Sequence, residues 1–312
     1  MAMALFYILV FPGILFLGVF GLAAEYVDRK LYAKLQNRMG PPWYQPLADF
    51  IKLVAKEDVI PQDVDLTIFK MMPALALVST ACAFFYIPLW GTQALFSFNG
   101  DVIVVLYLLT IPMLTFFLGG WYSRSVFSRI GAIRSITQFF AYETPLFLSI
   151  LAPAMLADSW SLSKISAFYS QHPLLVLCNG LGFAVSLVAL LGKLEKVPFD
   201  IPEAETEIVA GAFTEYSGRL LAIFRMAIDM EMIVAASLLA AVFLPFGMQF
   251  GPLAGFALYV VKVLFIVALL AVLRTIFARL RIDQMINFCW KYVAPLAFLQ
   301  LLADLILKGI HL

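Results

Sequence analysis

Histidine occurs only twice in these 312 residues and cysteine three times. Cys82, Cys178 and Cys289 are far apart and lie in or near apolar runs, so they offer neither a metal-spaced pair nor a disulfide framework. His172 and His311 sit outside the apolar runs, which excludes a bis-histidine haem site. Charge is scarce too. Asp, Glu, Lys and Arg make up 13% of the chain and the net charge is +1, which gives no electrostatic case for nucleic acid or an acidic partner. No internal repeat is visible, and no linker is long enough to set off a soluble domain. The first apolar stretch has neither a basic n-region nor a small-residue cleavage pattern, so a retained span is expected rather than a signal peptide.

Apolar sequence is what the chain has in abundance. Hydrophobic residues make up 63% and the mean hydropathy is +0.96, more than a soluble core of this size needs. A membrane helix takes about 20 mainly apolar residues. That rule places spans near 4–24, 71–90, 102–122, 139–157, 173–192, 220–244, 253–273 and 288–308. The expected fold is an all-α integral membrane protein of about eight transmembrane helices forming one membrane domain over 1–312. The fourth and fifth spans are interrupted by Pro145, Pro153 and polar residues.

The segments after spans one, three, five and seven, with Lys291 at the start of span eight, hold 17 of the 21 Lys and Arg residues. This bias predicts that loops 25–70, 123–138, 193–219 and 274–290 are cytoplasmic and that both termini are outside. Within the first loop, Leu47, Phe50, Ile51, Leu53 and Val54 alternate with Asp49, Lys52, Lys56 and Glu57 at helical spacing. An amphipathic helix in the interface plane is expected, either resting on headgroups or roofing a cavity and seating a partner. Trp43 and Tyr44 read as interfacial belt aromatics.

The stretch "VPFDIPEAETEIVAGAFTEYSG" (197–218) carries Asp200, Glu203, Glu205, Glu207 and Glu215 and no base. Pro202 suits the first turn of a helix, where acids are favoured by the dipole, so Glu203 and Glu205 have a structural explanation. Glu207 and Glu215 lie among apolar residues and are expected to sit deeper. Glu203 and Glu207, four apart, would repel on one helix face unless water, bases or protons attend them. Coupled carboxylates of this kind titrate as a group and can pass protons or line an ion path. Glu143 in the fourth span, Arg225, Asp229 and Glu231 in the sixth and Lys262 in the seventh are costly in lipid. They fit either mutual pairing, Arg225 with Asp229 being four apart, or ion conduction.

Four stretches, "LQNRMGP", "QPLADFIKLVAKEDVIP", "VPFDIPEAETEIVAGAFTEYSG" and "RLRIDQMINFCWKYVAPL", resemble the H-subunit family of bacterial complex I and its relatives in membrane-bound nickel-iron hydrogenases. The resemblance runs in collinear order over nearly the whole chain. It implies an eight-helix anchor between a peripheral redox arm and antiporter-like membrane subunits. Its acidic loop would carry coupling charge. By that resemblance Asp200, Glu203, Glu205, Glu207 and Glu215 stand on the family's loop acids, and Glu143 in "AYET" on its buried glutamate. Asp28 in "DRK" takes the place of an acid usually written Glu, and Arg274, Arg279 and Arg281 match basic residues beside "DQ". Arg29, Arg38, Asp49 and Lys56 join these as arm-docking or coupling residues. The family's sixth-span acid aligns with Ile228, leaving Asp229 or Glu231 as substitutes.

The resemblance also implies that this chain holds no cofactor. Iron-sulfur clusters, and a nickel-iron centre in hydrogenase-type members, belong to partner subunits: hydrogenase-like large and small subunits and an iron-sulfur protein. "GPPWYQP" is shorter than the "GPNxVG…LQP" of quinone-linked members, which points to a relative handing electrons to protons or sulfane sulfur. A quinone-site subunit, a free-standing ion carrier and a passive anchor are the competing readings.

Overall fold

The computed structural model describes residues 2–62, 64–91, 93–247 and 250–311, with the side chains of 2–5, 205, 310 and 311 outside the description. Among the described residues the chain is all helix, without strands. In order the helices are α1 (Ala2–Leu9), α2 (Ile14–Leu35), α3 (Gln45–Ala55), α4 (Leu66–Phe84), α5 (Asp101–Tyr122), α6 (Val126–Leu156) and α7 (Leu162–Gln171). Then follow α8 (Pro173–Cys178), α9 (Gly180–Lys193), α10 (Glu205–Ile208), α11 (Gly218–Phe243), α12 (Pro252–Ile276), α13 (Ile282–Phe288) and α14 (Ala294–His311). A π-helical turn, Cys289–Val293, runs α13 into α14 as one span.

Seven of these stretches are long and apolar enough to cross a membrane. The expected fifth span is not among them, because its stretch is divided into α8 and α9. Pro173 starts α8, Asn179 interrupts the ladder and Gly180 starts α9. At 1.5 Å per residue α9 alone reaches about 21 Å, and only α8 and α9 together approach the ~30 Å of a bilayer core. Hydropathy therefore finds the apolar stretch but not the break within it.

Position in the bundle follows from helix polarity. Every residue of α11 from Met230 to Phe243 is buried, the pattern of a helix packed on all sides. Around it stand α2, α4, α9 and α12, with α5, α6 and α14 forming the adjoining layer. The amphipathic segment forms α3, which packs on α2 and α11 rather than crossing.

Loop 194–217 is held by close backbone approach. A Cβ on Gly131 of α6 would collide with the Ala212 nitrogen, so the loop sits directly on the α6 backbone. Gly211 has φ +52°, and a Cβ there would run into the Pro202 carbonyl, so only glycine fits. The far end of the loop is locked to the first loop. Asp58 Oδ1 accepts from Arg219 N at 2.6 Å, while Ser217 Oγ accepts from Val59 N at 2.8 Å and donates to its carbonyl at 3.2 Å. "EDV" and "YSGR" thus form one joint.

Candidate functional site: a charged cavity under the amphipathic helix

Beneath α3 lies a cavity of about 490 Å³, with Pro46, Asp49, Phe50 and Leu53 of α3 as its roof. The amphipathic segment thus covers a cavity. Its lining contains seven carboxylates, Glu25, Asp49, Glu195, Asp200, Glu203, Asp229 and Glu231, and five cations, Arg29, Lys193, Lys196, Arg225 and Arg274.

The charges interlock in layers. At the roof, Arg29 holds Glu25 at 2.6 Å and Asp49 at 3.2 Å, tying α3 to α2. One level in, Asp28 is fully buried and takes Lys196 at 2.6 Å and Arg274 at 3.0 Å on the same oxygen. Lys196 also faces Glu25 at 3.5 Å. Burial opposes the Lys196 charge, but the Asp28 and Glu25 carboxylates outweigh it and hold the ammonium above its ordinary range. Three distant segments therefore meet on one carboxylate. On the opposite wall Arg225 pairs with Glu203 at 2.9 Å. The expected Arg225–Asp229 pair is absent among the described residues, because the guanidinium reaches out to the loop rather than along its own helix.

At the floor, Lys193 and Glu231 are 1% and 2% exposed and 3.1 Å apart. The approach is an ion pair by distance, with poor alignment for a hydrogen bond; the aligned donation of the ammonium goes to the Leu109 carbonyl. Beyond Lys193 is a second void of about 10 Å³, room for roughly one water, lined by Lys193, Glu143 and apolar side chains. Glu143 is buried and neither of its carboxyl oxygens has a hydrogen-bond partner among the described residues. Charge thus continues from the roof through Glu231 and Lys193 to a lone acid deep in α6.

The four loop acids whose side chains are described are not gathered at one place. Asp200 and Glu203 line the cavity. Glu203 lies in a turn that ends before α10, so the helix expected to place Glu203 and Glu207 on one face does not form. Ala204 at φ +22° and Val209 at φ +65° bend the chain back over α6 instead. Glu207, expected to lie deep, is 54% exposed and pairs with Arg134 at 2.7 Å. That hydrogen bond and the Arg134 charge hold its carboxyl below the usual range. Glu215 is half-buried, outside the cavity lining and next to Tyr216, which stacks on Phe69. The Glu205 side chain lies outside the described residues.

Among the remaining candidates, Asp229 lines the cavity without an ion pair within 4.0 Å among the described residues. Arg38, Lys56, Arg279 and Arg281 are exposed. Arg279 donates to the Asp200 carbonyl at 2.7 Å, and Leu280 N to the Pro198 carbonyl at 3.0 Å, docking the 277–281 segment against the acidic loop. No group of three or more His, Cys, Asp or Glu able to hold a metal occurs among the described residues.

Four site residues are not singled out by sequence: Glu25, Lys193, Glu195 and Lys196. Glu195 is buried at φ +50°, with Ser135 Oγ donating at 3.3 Å. Burial first, then the Glu203 charge, pushes its carboxyl well above the usual range. A spacing signal exists. Glu25 with Asp28, and Lys193 with Lys196, are each three apart and so share a face.

A profile described as NADH dehydrogenase matches residues 7–305. The H subunit of the NADH-quinone oxidoreductase from Syntrophotalea carbinolica is 36% identical over 291 residues, covering 88% of this chain and 87% of that protein. Its counterpart from Thermus thermophilus, NADH-quinone oxidoreductase subunit 8, is 35% identical over 300 residues, covering 92% and 82%. A chain in the structure of the membrane-bound sulfane sulfur reductase, an archaeal respiratory membrane complex, superposes with a TM-score of 0.82 at 26% identity, covering 93% of this chain and 96% of that one. This chain therefore belongs to the H-subunit family of NADH dehydrogenase and is a multi-pass membrane protein of the complex I-like respiratory class.

Proposed function

We propose that this chain is the membrane anchor and charge-coupling subunit of a ferredoxin-driven, ion-translocating complex of the sulfane sulfur reductase or membrane-bound hydrogenase type. The carrying observation is the cavity: twelve of its 21 lining residues are charged, and they run from a surface roof to the buried Lys193–Glu231 pair. Redox chemistry occurs in peripheral subunits that hold the iron-sulfur clusters and any nickel-iron centre. Those subunits dock on the segments 25–70, 123–138 (largely the first turns of α6), 193–219 and 274–290, which face the cytoplasm, with both termini outside. Arg38, Lys56, Arg279 and Arg281, exposed at that end, supply docking charge.

A change of charge at the docked arm alters the balance in the cavity. A proton entering at Asp200, Glu203 or Glu25 weakens the hold on Arg225 or Lys196, and the imbalance passes inward through Asp229, Glu231 and Lys193 to Glu143. Antiporter-like neighbours then move protons or sodium. The chain itself performs no redox step. Measuring substrate-driven ion uptake by vesicles containing the intact complex tests this. Glu231→Gln and Glu143→Gln should abolish uptake while leaving electron transfer, whereas Glu207→Gln should leave uptake near wild type. Unimpaired uptake in both deep variants would refute the relay.

A quinone-site subunit is the second reading, favoured by the names of the two bacterial relatives. Sites for apolar ligands are lined mainly by apolar side chains, and a prenylated quinone fits a lining this charged poorly. No step is therefore assigned to quinone. Quinone co-purifying stoichiometrically with the complex, or inhibition by quinone-site blockers, would reverse that choice.

A further inference from the structure

At the opposite end of the bundle is a second buried polar cluster, on the broken fifth span. Asp304 of α14 is fully buried, and Gln300 and Asn179 are each 2% exposed. The three side chains form a closed triangle. Gln300 Nε2 lies 3.0 Å from the Asn179 amide and 2.9 Å from Asp304 Oδ1, and the same Asn179 amide terminus lies 2.8 Å from Asp304 Oδ2.

That geometry favours a proton on Asp304. Each amide can present either its oxygen or its NH₂ to the triangle, which gives four arrangements. Two oxygens, or two NH₂ groups, facing each other would leave the Asn179–Gln300 contact without a hydrogen bond. In the other two, one amide donates to both neighbours and the other presents its oxygen to Asp304 across 2.8 or 2.9 Å. Two oxygens that close in a dry interior need a hydrogen between them, and only the carboxyl can bring it. The two arrangements that hydrogen-bond all three contacts have Asp304 protonated; with both NH₂ groups turned to it, an ionised Asp304 would accept from both amides while the two amide nitrogens, 3.0 Å apart, share no hydrogen. Neither amide can neutralise a carboxylate, and no cation pairs with Asp304 among the described residues.

Around the triangle, Tyr169 of α7 donates to the Pro153 carbonyl of α6 at 3.0 Å and borders Asn179. Cys178 of α8 adjoins Asn179 in sequence. On α14, Lys308 lies one turn beyond Asp304 and pairs with Asp158 at the end of α6, 2.6 Å away. There an apolar groove of about 700 Å³ begins, lined by Asp158, His172 and Lys308 among others. Pro153 stands ten residues from Glu143 on α6, about 15 Å along the helix. The hydroxyl pair Ser149–Ser186, at 2.8 Å, lies on the same α6–α9 seam between them.

We propose that Asp304, framed by Asn179 and Gln300, is a second proton-binding site of this chain, separate from the charged cavity and neutral in the resting protein. Infrared difference spectroscopy of the purified complex tests this without any activity. Wild type minus Asp304→Asn at neutral pH should contain a protonated-carboxyl C=O stretch that moves to lower frequency in D₂O. Carboxylate stretches in its place would overturn the proposal. Asparagine is the neutral isostere that can donate and accept in the same triangle, so this variant should keep wild-type thermal stability while Asp304→Ala loses it. If Asp304→Asn fails to assemble, Asn179→Leu serves as the second variant. Removal of one hydrogen-bond partner should shift the carboxyl band, and an unmoved band would overturn the proposal.

Discussion

Glu195 and Glu207 are twelve residues apart on one loop, yet their surroundings drive their carboxyls in opposite directions. For Glu195 the folded protein binds the proton more tightly than the unfolded chain. Folding stability therefore falls as pH rises above the unfolded value and is unaffected well below it. Glu195→Gln should raise the melting temperature of the complex at pH 7–8, and the gain should vanish toward pH 4. A gain that stays constant across that range would show that Glu195 is ionised when folded. Glu207 is the control. Its exposed pairing with Arg134 is of the class worth about 0–1 kcal/mol, so Glu207→Gln should barely move the melting curve. Lys193 is the sensitive position. Lys193→Met leaves Glu231 buried beside no cation and should cost about 3–5 kcal/mol, whereas the double replacement Lys193→Met/Glu231→Leu should recover most of that loss. Denaturant titration of the isolated complex checks both.

Among the elements, those set by composition are legible in the sequence and those set by distant contact are not. Seven spans follow from apolar length alone, because lipid demands it. The α3 helix follows from its alternating faces. The break at Asn179 does not, since one polar residue in an apolar run is ordinarily tolerated; here Asp304 and Gln300, over a hundred residues away, give it partners. The acidic loop misleads for a similar reason. Pro202 and the i,i+4 acids suggest a helix, but the chain takes positive φ at Ala204, Val209 and Gly211 and seats Gly211 and Ala212 on the α6 backbone at Gly131. Gly131→Leu should therefore dislodge the loop, seen as faster proteolysis within 200–215 while the transmembrane bundle stays intact. The joint between loops makes a milder case. Asp58 caps α11 from outside that helix, so Asp58→Ala should cost about 1 kcal/mol, the usual worth of an N-cap. An unchanged melting temperature would show that water replaces the cap.

Over the whole molecule, charge is divided between two ends. A cavity of interlocked ions sits under α3, and a compact cluster of amides, hydroxyl and carboxyl sits near the end of α14. The basic loops and the acidic run foreshadow the first. They do not foreshadow its pairings, because Asp28, Lys196 and Arg274 are brought to one point only by the packing of α2, α12 and the turn that follows α9. Glu25 and Lys196 are easily passed over because charges near helix ends read first as signs of orientation.

The roof of the cavity is also its weakest wall. One face of α3 carries Phe50 and Leu53 over the ions, while Leu47, Ile51 and Val54 are turned outward and exposed. Such a helix is seated by the interfacial lipid as much as by protein. Lipid seated on that outward face would act as a structural component of the ion cavity. Thin leaflets or delipidating detergent should raise amide exchange across 45–55 before any transmembrane helix loosens, which makes membrane composition a control on how much bulk water reaches the buried acids.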